Sequence, residues 1–135
     1  MVVTRNRGEE IEQARLIKWT HKATVRALMP ALAWIHHSPN GGQRSSFTGA
    51  QMKAMGVKRG FPDLILPTRS HDGIAPGLVI EMKSDVGQLS TEQQGWKEHF
   101  IRQGWHFRLA RSAQEARTYL CQYLGITPNA APDLD

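Results

Sequence analysis

Cysteine is almost absent from this sequence, which contains only Cys121. A single thiol cannot form an internal disulfide, and it cannot build a zinc site of the kind that needs several cysteines. Cys121 lies within an apolar pattern of helical period. We therefore predict a core or half-buried thiol that packs as a small hydrophobic group.

Long apolar segments are missing as well. The uninterrupted apolar runs extend over a handful of residues, whereas a helix that crosses a bilayer needs ~20. The first ten residues, MVVTRNRGEE, lack the apolar stretch of a signal peptide. We therefore expect a soluble, cytoplasmic protein without a membrane partner.

The length and the hydrophobic content of the chain suit one globular domain. The chain has 135 residues, of which 40% are hydrophobic, and its formal net charge is +5. We assign residues 1–125 to the domain and expect 126–135, with two prolines and no periodicity, to form a flexible tail. The basic charge favours a polyanionic partner such as nucleic acid, although charge alone does not identify one.

Hydrophobic period and capping signals predict seven regular elements. They are a helix over 9–29, strands over 31–37, 63–67 and 77–83, a helix from Ser90 to Gln103, a strand over 105–110 and a helix from Ser112 to Leu124. Ser90 with Gln93, and Ser112 with Glu115, have the spacing of a capping box. The connection over 38–61 is expected to hold a short helix, with Thr48 and Gln51 at its start, that ends near Gly56.

The order of these elements, α-β-β-β-α-β-α, predicts an α/β fold. Strands 63–67 and 77–83 are joined by a turn containing Asp72 and Gly73, so we expect an antiparallel hairpin. The helix before strand 105–110 then acts as a crossover. The result is a mixed four-stranded sheet flanked by helices.

Two charged residues end the third predicted strand, GLVIEMK. Apolar residues begin both of its faces, which is typical of a central strand buried on both sides. Glu81 and Lys83 place opposite charges at the end of one face, roughly 7 Å apart at Cα. Burial of a charge is unfavourable unless the charge is paired or bound to an ion.

Asp63 begins the preceding strand, so in a hairpin it can lie beside Glu81. Two adjacent carboxylates repel each other unless a cation lies between them. A hard, oxygen-binding cation such as Mg²⁺ or Mn²⁺ removes this conflict. Lys83 would then stand next to the metal, where it can orient a water or stabilise charge on a phosphate.

An ordinary Glu81–Lys83 ion pair, with Asp63 as a turn residue, is the alternative. Each residue taken singly favours that alternative, because such pairs are common on protein surfaces. The combination of strand order, a basic loop and Glu12 on a helix face favours the metal site.

The residues around Asp63 and Glu81 resemble a known family. Phe61-Pro62-Asp63 followed by Glu81-Met82-Lys83 is similar to the signature of the PD-(D/E)XK nuclease superfamily. Within that superfamily, the sequence resembles the VRR-NUC branch more closely, over about residues 9–124. This branch is found in stand-alone phage and bacterial proteins. The motifs that carry this likeness are Asn40-Gly41-Gly42, GVKRGFPDLILP, GLVIEMK, Gln88-Leu89-Ser90 and Glu92-Gln93. The resemblance implies a restriction-endonuclease-like core.

The resemblance also implies roles for individual residues. Asp63 and Glu81 would be ligands of Mg²⁺ or Mn²⁺, together with the carbonyl oxygen of Met82, and Lys83 would be the catalytic lysine. The family uses a glutamate of the first helix, which corresponds best to Glu12, with Glu9 as the competitor. Gln93 would approach the site. The alternative for Gln93 is a purely capping role, and both roles are compatible if the side chain serves one and the backbone the other.

DNA is the substrate that the resemblance implies. Lys58 and Arg59 precede Asp63 and are placed to bind the phosphate backbone, with Arg44 and Lys53 as weaker candidates. A chain with few means of reading sequence favours structure-selective cutting, as in Holliday-junction resolving enzymes. Two symmetric cuts suit a homodimer, acting in a bacterial cell or a phage-infected host. A nuclease for flaps, nicks or unstructured duplex, and a catalytically silent DNA-binding recombination accessory protein, are the alternatives.

Some conspicuous residues are assigned no catalytic role. His36 and His37 are adjacent on a predicted strand and face opposite sides, so they cannot jointly bind one metal. The large aromatic residues are expected to pack in the core. These are Trp19, Trp34, Trp96 and Phe100.

Overall fold

The computed structural model describes residues 7–39 and 49–135 of the chain. Arg44, the cap predicted at Thr48 and the Asn40-Gly41-Gly42 turn lie outside these residues. Within them the structure is an α/β fold in which a four-stranded mixed sheet is flanked by helices. The predicted fold class is therefore confirmed.

The single helix predicted over 9–29 is in fact two helices, α1 (Arg7–Thr20) and α2 (Ala23–Leu28). The Thr20 hydroxyl donates to the Ile17 carbonyl at 2.6 Å, and the Arg26 guanidinium donates to the Thr20 carbonyl at 2.6 Å. These side-chain bonds satisfy the end of α1 and replace the helical bonds that would continue it. The chain turns here, which brings Val25 into the core.

The strand predicted over 31–37 is mostly wrong. Pro30–Trp34 forms a 3₁₀ turn, and only His36–His37 forms a strand, β1. Pro30 occupies the first position of this turn, where its missing N–H is not needed. The turn buries Leu32 and leaves Trp34 70% exposed, so Trp34 is not a core residue as predicted.

The other elements confirm the predicted order. They are α3 (Gly49–Ala54), β2 (Leu64–Leu66), β3 (Leu78–Met82), α4 (Thr91–Arg102), β4 (His106–Ala110) and α5 (Ala113–Tyr123). The sheet order is β1-β2-β3-β4; β2 pairs antiparallel with β1 and β3, and β3 pairs parallel with β4. Every residue of β3 is buried, as expected for a central strand.

The two faces of the sheet pack against different helices. The side chains of Leu78, Ile80 and Met82 enter a large apolar cluster with α1 and α5. Val79 faces the other side, where it packs with Phe100 of α4 and Phe107 of β4. Alternation along β3 therefore directs Glu81 and Lys83 to the α4 side.

Both predicted capping residues begin their helices, in two different ways. Ser90 and Gln93 form a reciprocal capping box at α4. Ser112 accepts a bond from the Glu115 amide at 3.1 Å, but the Glu115 carboxylate accepts from the Arg111 amide at 2.9 Å instead of from Ser112. The second box is thus displaced by one residue.

The final segment packs against the helices, whereas the sequence suggested a flexible tail over 126–135. Ala131 and Leu134 are buried. Arg117, itself buried in α5, donates to the carbonyls of Pro128, Ala131 and Pro132 at 2.8 to 3.0 Å. A periodicity argument misses these contacts, because they join backbone carbonyls to one distant guanidinium.

Cys121 is fully buried in α5, as predicted. Burial raises the pKa of its thiol, and the nearby charge of Arg117 opposes that rise.

Among residues 7–39 and 49–135, no helix has the length and apolar character needed to cross a membrane.

Candidate active site

Asp63 and Glu81 lie opposite each other on two neighbouring chain segments, directly before β2 and within β3. Leu64 pairs with Ile80 in the hairpin, and extension of this register by one residue sets Asp63 opposite Glu81. Both side chains are almost inaccessible to solvent, with 2% and 3% exposure. The predicted pairing of two buried carboxylates at the strand ends is therefore present in the geometry.

Asp63 is held by the strands on both sides of it. Its Oδ2 accepts a hydrogen bond from the Met82 amide at 2.8 Å. Its backbone carbonyl accepts from the Ser38 amide at 3.0 Å and lies 2.9 Å from Nδ1 of His37. Met82 thus contributes its amide to the position of Asp63, while its side chain belongs to the core on the opposite face.

His37 and Gln13 form a contact that no sequence pattern predicted. Nδ1 of His37 lies 2.9 Å from Nε2 of Gln13, and Gln13 is buried in α1. This contact links the first helix to the backbone of Asp63. A glutamine on the buried side of α1 was the available signal, but only the fold shows which strand it meets.

Gln93 serves both roles that the sequence left open. Its Oε1 accepts from the Ser90 amide at 2.8 Å and its Nε2 donates to Oε2 of Glu81 at 3.1 Å. One side chain therefore completes the capping box with its oxygen and orients the carboxylate with its nitrogen. The start of α4 and the end of β3 are connected through this amide.

Lys83 follows β3 on the same face as Glu81 and is half-buried. Its amide donates to the Ala110 carbonyl at 2.9 Å, which extends the parallel pairing with β4 beyond Met82. The lysine is therefore fixed at its backbone two residues beyond Glu81, on the same face of the strand.

The two candidate glutamates of α1 have different partners. Oε1 of Glu12 accepts from the Ala113 amide at 2.8 Å, and its carboxylate pairs with Arg15 at 3.2 Å. Oε2 of Glu9 accepts from the amide of Ser84, the residue after Lys83, at 2.8 Å. Glu12 thus caps the start of α5, which explains a carboxylate in line with core residues, and Glu9 contacts the chain next to the site.

The candidate DNA-binding residues Lys58 and Arg59 are exposed on the loop before Asp63. Gly60 lies against α4 with φ +83°; a Cβ at this position would stand 2.7 Å from the Glu92 carbonyl carbon. The Arg59 carbonyl also accepts from Nε1 of Trp96 at 2.9 Å. The loop backbone is therefore anchored to α4, and its basic side chains point outwards.

Lys53 is exposed in the last turn of α3. Exposure makes its charge available to a partner but does not place it beside Asp63 or Glu81. Its proximity to bound DNA therefore stays a prediction.

The donor set of Asp63 and Glu81 suits a hard divalent cation. Each carboxylate has one oxygen held by a neutral N–H donor, and both carboxylates are buried side by side. Mg²⁺ is commonly bound through one or two carboxylates together with water and substrate phosphate. Within the described residues no three His, Cys, Asp or Glu side chains converge on a metal site, so neither Glu9 nor Glu12 completes a three-acid cluster.

A second group of titratable residues lies near the opposite end of the hairpin. The Tyr123 hydroxyl donates to the Thr68 carbonyl at 2.7 Å. Burial first, and the charge of Asp72 second, raise the pKa of Tyr123 to about 12. A hydrogen bond from Ser70 is the main cause that lowers the pKa of Asp72. These contacts tie the hairpin loop to α5.

Comparison with known proteins gives consistent results. The VRR-NUC domain matches residues 7–114. A solved structure described as a VRR_NUC domain protein is similar to this chain with 29% identity and a TM-score of 0.69, over 87% of this chain and 88% of the other. No curated protein matches the chain.

Proposed function

Because the chain belongs to the VRR-NUC family, whose function is of the nuclease type, we propose that it is a metal-dependent DNA endonuclease that hydrolyses phosphodiester bonds. The observation that carries this proposal is the burial of two opposed carboxylates, Asp63 and Glu81, beside Lys83. A buried acidic pair is unfavourable without a compensating charge. We propose Mg²⁺ or Mn²⁺ as that charge.

The proposed reaction adds water across a P–O bond of the DNA backbone. A divalent cation, when bound, polarises the phosphate and promotes ionisation of water. Asp63 and Glu81 would hold the cation, with the Met82 carbonyl as a further oxygen donor. Lys83 would stabilise the negative charge that develops on the phosphate oxygens as the bond to the leaving oxygen breaks.

The surrounding residues orient these groups. Gln93 holds one oxygen of Glu81, and the Met82 amide holds one oxygen of Asp63, so each carboxylate has a defined direction. We propose that Glu9, and not Glu12, is the contribution of α1, through its bond to the Ser84 amide beside Lys83. Orientation of this kind reduces the reorganisation needed during the reaction.

Lys58 and Arg59 are proposed to bind the DNA backbone. Both side chains are exposed on a loop that Gly60 and Trp96 anchor to α4. Phosphate contacts of this kind position a substrate without reading its sequence. Removal of either charge should weaken DNA binding and reduce its salt dependence, whereas the rate of cleavage at saturating DNA should change little.

We propose branched DNA, including a four-way junction, as the preferred substrate and a homodimer as the active species. This proposal is supported by family resemblance and by the need of a junction for two symmetric cuts. On this view the protein meets its DNA in the cytoplasm of a bacterial cell or a phage-infected host. Cleavage of flaps or nicks, and DNA binding without cleavage, are the competing outcomes of the test.

The test compares labelled junction, flap, single-stranded and linear duplex DNA with Mg²⁺, Mn²⁺ or EDTA. Asp63→Ala and Lys83→Met are the active-site variants. Lys97→Met is a matched control, because Lys97 lies on the same side of the sheet with its Nζ over the Phe107 ring at 5.8 Å. It removes the same charge as Lys83→Met.

We expect cation-dependent cleavage that Asp63→Ala and Lys83→Met reduce by roughly 10²-fold or more and that Lys97→Met leaves nearly unchanged. Undiminished cleavage by Lys83→Met would contradict the active-site assignment. Binding without cleavage under every metal condition would favour an accessory role. Sedimentation analysis with and without junction DNA tests the homodimer.

A further inference from the structure

The turn that follows Lys83 is held by two side chains from distant parts of the chain. Glu9 of α1 accepts from the Ser84 amide at 2.8 Å. Nη1 of Arg111 lies 2.6 Å from the Ser84 carbonyl oxygen, 2.8 Å from that of Gly87 and 3.3 Å from that of Asp85. Three of the four carbonyl groups of residues 84–87 are therefore directed onto one guanidinium.

Arg111 is well placed to hold this turn. It follows directly after β4, whose last residue, Ala110, pairs with Met82 and accepts from the Lys83 amide at 2.9 Å. The Arg111 amide is itself bonded to the Glu115 carboxylate at 2.9 Å. The backbone of Arg111 is thus fixed relative to β3. A planar guanidinium loses little freedom for each bond that it makes, so the contact transmits this fixed position to the turn.

When Arg111 holds the 84–87 turn, the turn lies against the side chain of Lys83. A Cβ built on Gly87 would stand 3.3 Å from Cδ of Lys83 and 3.2 Å from Oγ of Ser84. The Gly87 backbone is therefore in van der Waals reach of the lysine stem. A lysine stem is otherwise flexible, and a fixed surface along it restricts the positions that its ammonium group adopts.

We propose that Arg111 is a positioning residue that holds the 84–87 turn against Lys83 and so directs the lysine towards the Asp63–Glu81 pair. This inference rests on the proposed catalytic function of Lys83. Arg111 acts through the turn and does not touch the substrate. Its loss should therefore lower the rate of the chemical step and leave DNA binding unchanged.

The experiment compares Arg111→Met with Arg108→Met under single-turnover conditions. Arg108 lies on β4, three residues before Arg111, but its guanidinium is over the Tyr119 ring at 5.7 Å. The control therefore removes the same charge from a neighbouring position without disturbing the turn. We expect Arg111→Met to lower the cleavage rate by roughly 10²-fold, the effect of a misplacement of about 1 Å. The DNA concentration for half-maximal rate should match that of Arg108→Met.

Conservative replacement gives a second readout. Arg111→Lys retains a cation but is shorter, so we expect a rate between those of wild type and Arg111→Met. Added guanidinium ion should partly restore the Arg111→Met rate, because it can occupy the space beside the three carbonyls. Gly87→Ala, which pushes against the lysine stem with Arg111 intact, should also lower the rate without weakening DNA binding.

Hydrogen–deuterium exchange tests the turn independently of activity. Peptides that cover 83–89 should exchange faster in Arg111→Met than in wild type or Arg108→Met, while peptides of the apolar core stay unchanged. Unchanged exchange together with an unchanged rate would overturn the proposal. Weaker DNA binding with a normal saturated rate would also overturn it, because Arg111 would then be a phosphate contact.

An inactive wild-type protein is a distinguishable outcome. It would refute the nuclease function itself, and with it any positioning of a catalytic lysine, whatever the exchange data show. Normal wild-type cleavage combined with normal cleavage by Arg111→Met would refute only the role of Arg111.

Discussion

The two faces of the sheet differ in what they bury. The face covered by α1 and α5 holds a large apolar cluster that includes Leu16, Trp19 and Leu120, and the C-terminal segment closes its edge. The face covered by α4 has a small cluster around Val79, Phe100 and Phe107, surrounded by half-buried aromatic and aliphatic residues. The buried carboxylate of Glu81 lies on this second face.

This difference separates stability from chemistry. Apolar burial stabilises a fold roughly in proportion to its area, so the α1/α5 face provides most of that stabilisation. The α4 face uses directional hydrogen bonds to orient charged groups that would be unfavourable in an apolar core. Changes on the first face should therefore alter the free energy of unfolding, and changes on the second should alter activity.

The largest expected effect is that of Glu81→Gln on activity. The amide keeps the size of the carboxylate and an oxygen that can accept from Gln93, but it removes the charge that would bind a cation. We expect single-turnover cleavage to fall by roughly 10²- to 10³-fold. Mg²⁺ should raise the melting temperature of the wild type, because a cation that binds only the folded state stabilises it, and should raise that of the variant less.

Without a divalent cation, Glu81→Gln should be at least as stable as wild type, because the repulsion from Asp63 is removed. A large loss of stability in EDTA would break the comparison, since it would mean that the carboxylate is required for folding. Thermal unfolding with Mg²⁺ and with EDTA distinguishes these results.

Truncation of one leucine on each face of the sheet tests the same contrast. Leu120→Ala opens a cavity in the fully buried core of the α1/α5 face and should lower the free energy of unfolding by about 2–5 kcal/mol. Its cleavage rate per folded molecule should stay close to that of wild type. Urea denaturation and active-site titration measure the two quantities.

Leu89→Ala is the counterpart on the α4 face. Leu89 is half-buried and precedes Ser90, whose capping box directs Gln93 towards Glu81. We expect a smaller loss of stability than for Leu120→Ala and a larger loss of activity. The reverse order would show that the two faces do not divide these roles.

Arg117→Met tests how the C-terminal segment closes the apolar face. The buried guanidinium bonds to the carbonyls of Pro128, Ala131 and Pro132. Its removal leaves these acceptors without their donor, so we expect a loss of about 1–3 kcal/mol in the free energy of unfolding. Arg15→Met, which removes an exposed ion pair with Asp135, should have little effect.

The smallest effect concerns pH. The pKa of Tyr123 is raised to about 12, while the tyrosine of an unfolded chain ionises near its ordinary value of about 10. The unfolded state therefore releases this proton first, and the stabilisation that Tyr123 provides is lost as pH rises from about 10 to 12. The wild type should lose more stability over this range than Tyr123→Phe. Equal losses would contradict the assigned shift.

Many elements of the fold were predictable because they follow local rules. The capping box of Ser90 and Gln93 and the alternation along β3 depend on residues a few positions apart, and the structure confirms both. The split between α1 and α2 was not predictable in this way. It depends on bonds of the Thr20 hydroxyl and the Arg26 guanidinium that compete with continued helix.

The 3₁₀ turn before β1 shows a second limit. Residues 31–37 begin with an apolar run that is compatible with a strand, but Pro30 begins a tight turn that buries Leu32 and exposes Trp34. Short apolar runs do not distinguish a strand from a buried turn, because both have too few residues to show a period.

The sequence by itself determined the central acidic pair. Alternation along β3 and the hairpin register place Asp63, Glu81 and Lys83 together, because both follow from the two-residue period of a strand. Only the tertiary structure decided the surroundings of that pair. It assigned Glu12 to the start of α5, Glu9 to the chain beside Lys83 and Arg111 to the turn after it. These contacts join elements distant in sequence, and no local period encodes which helix end meets which strand end.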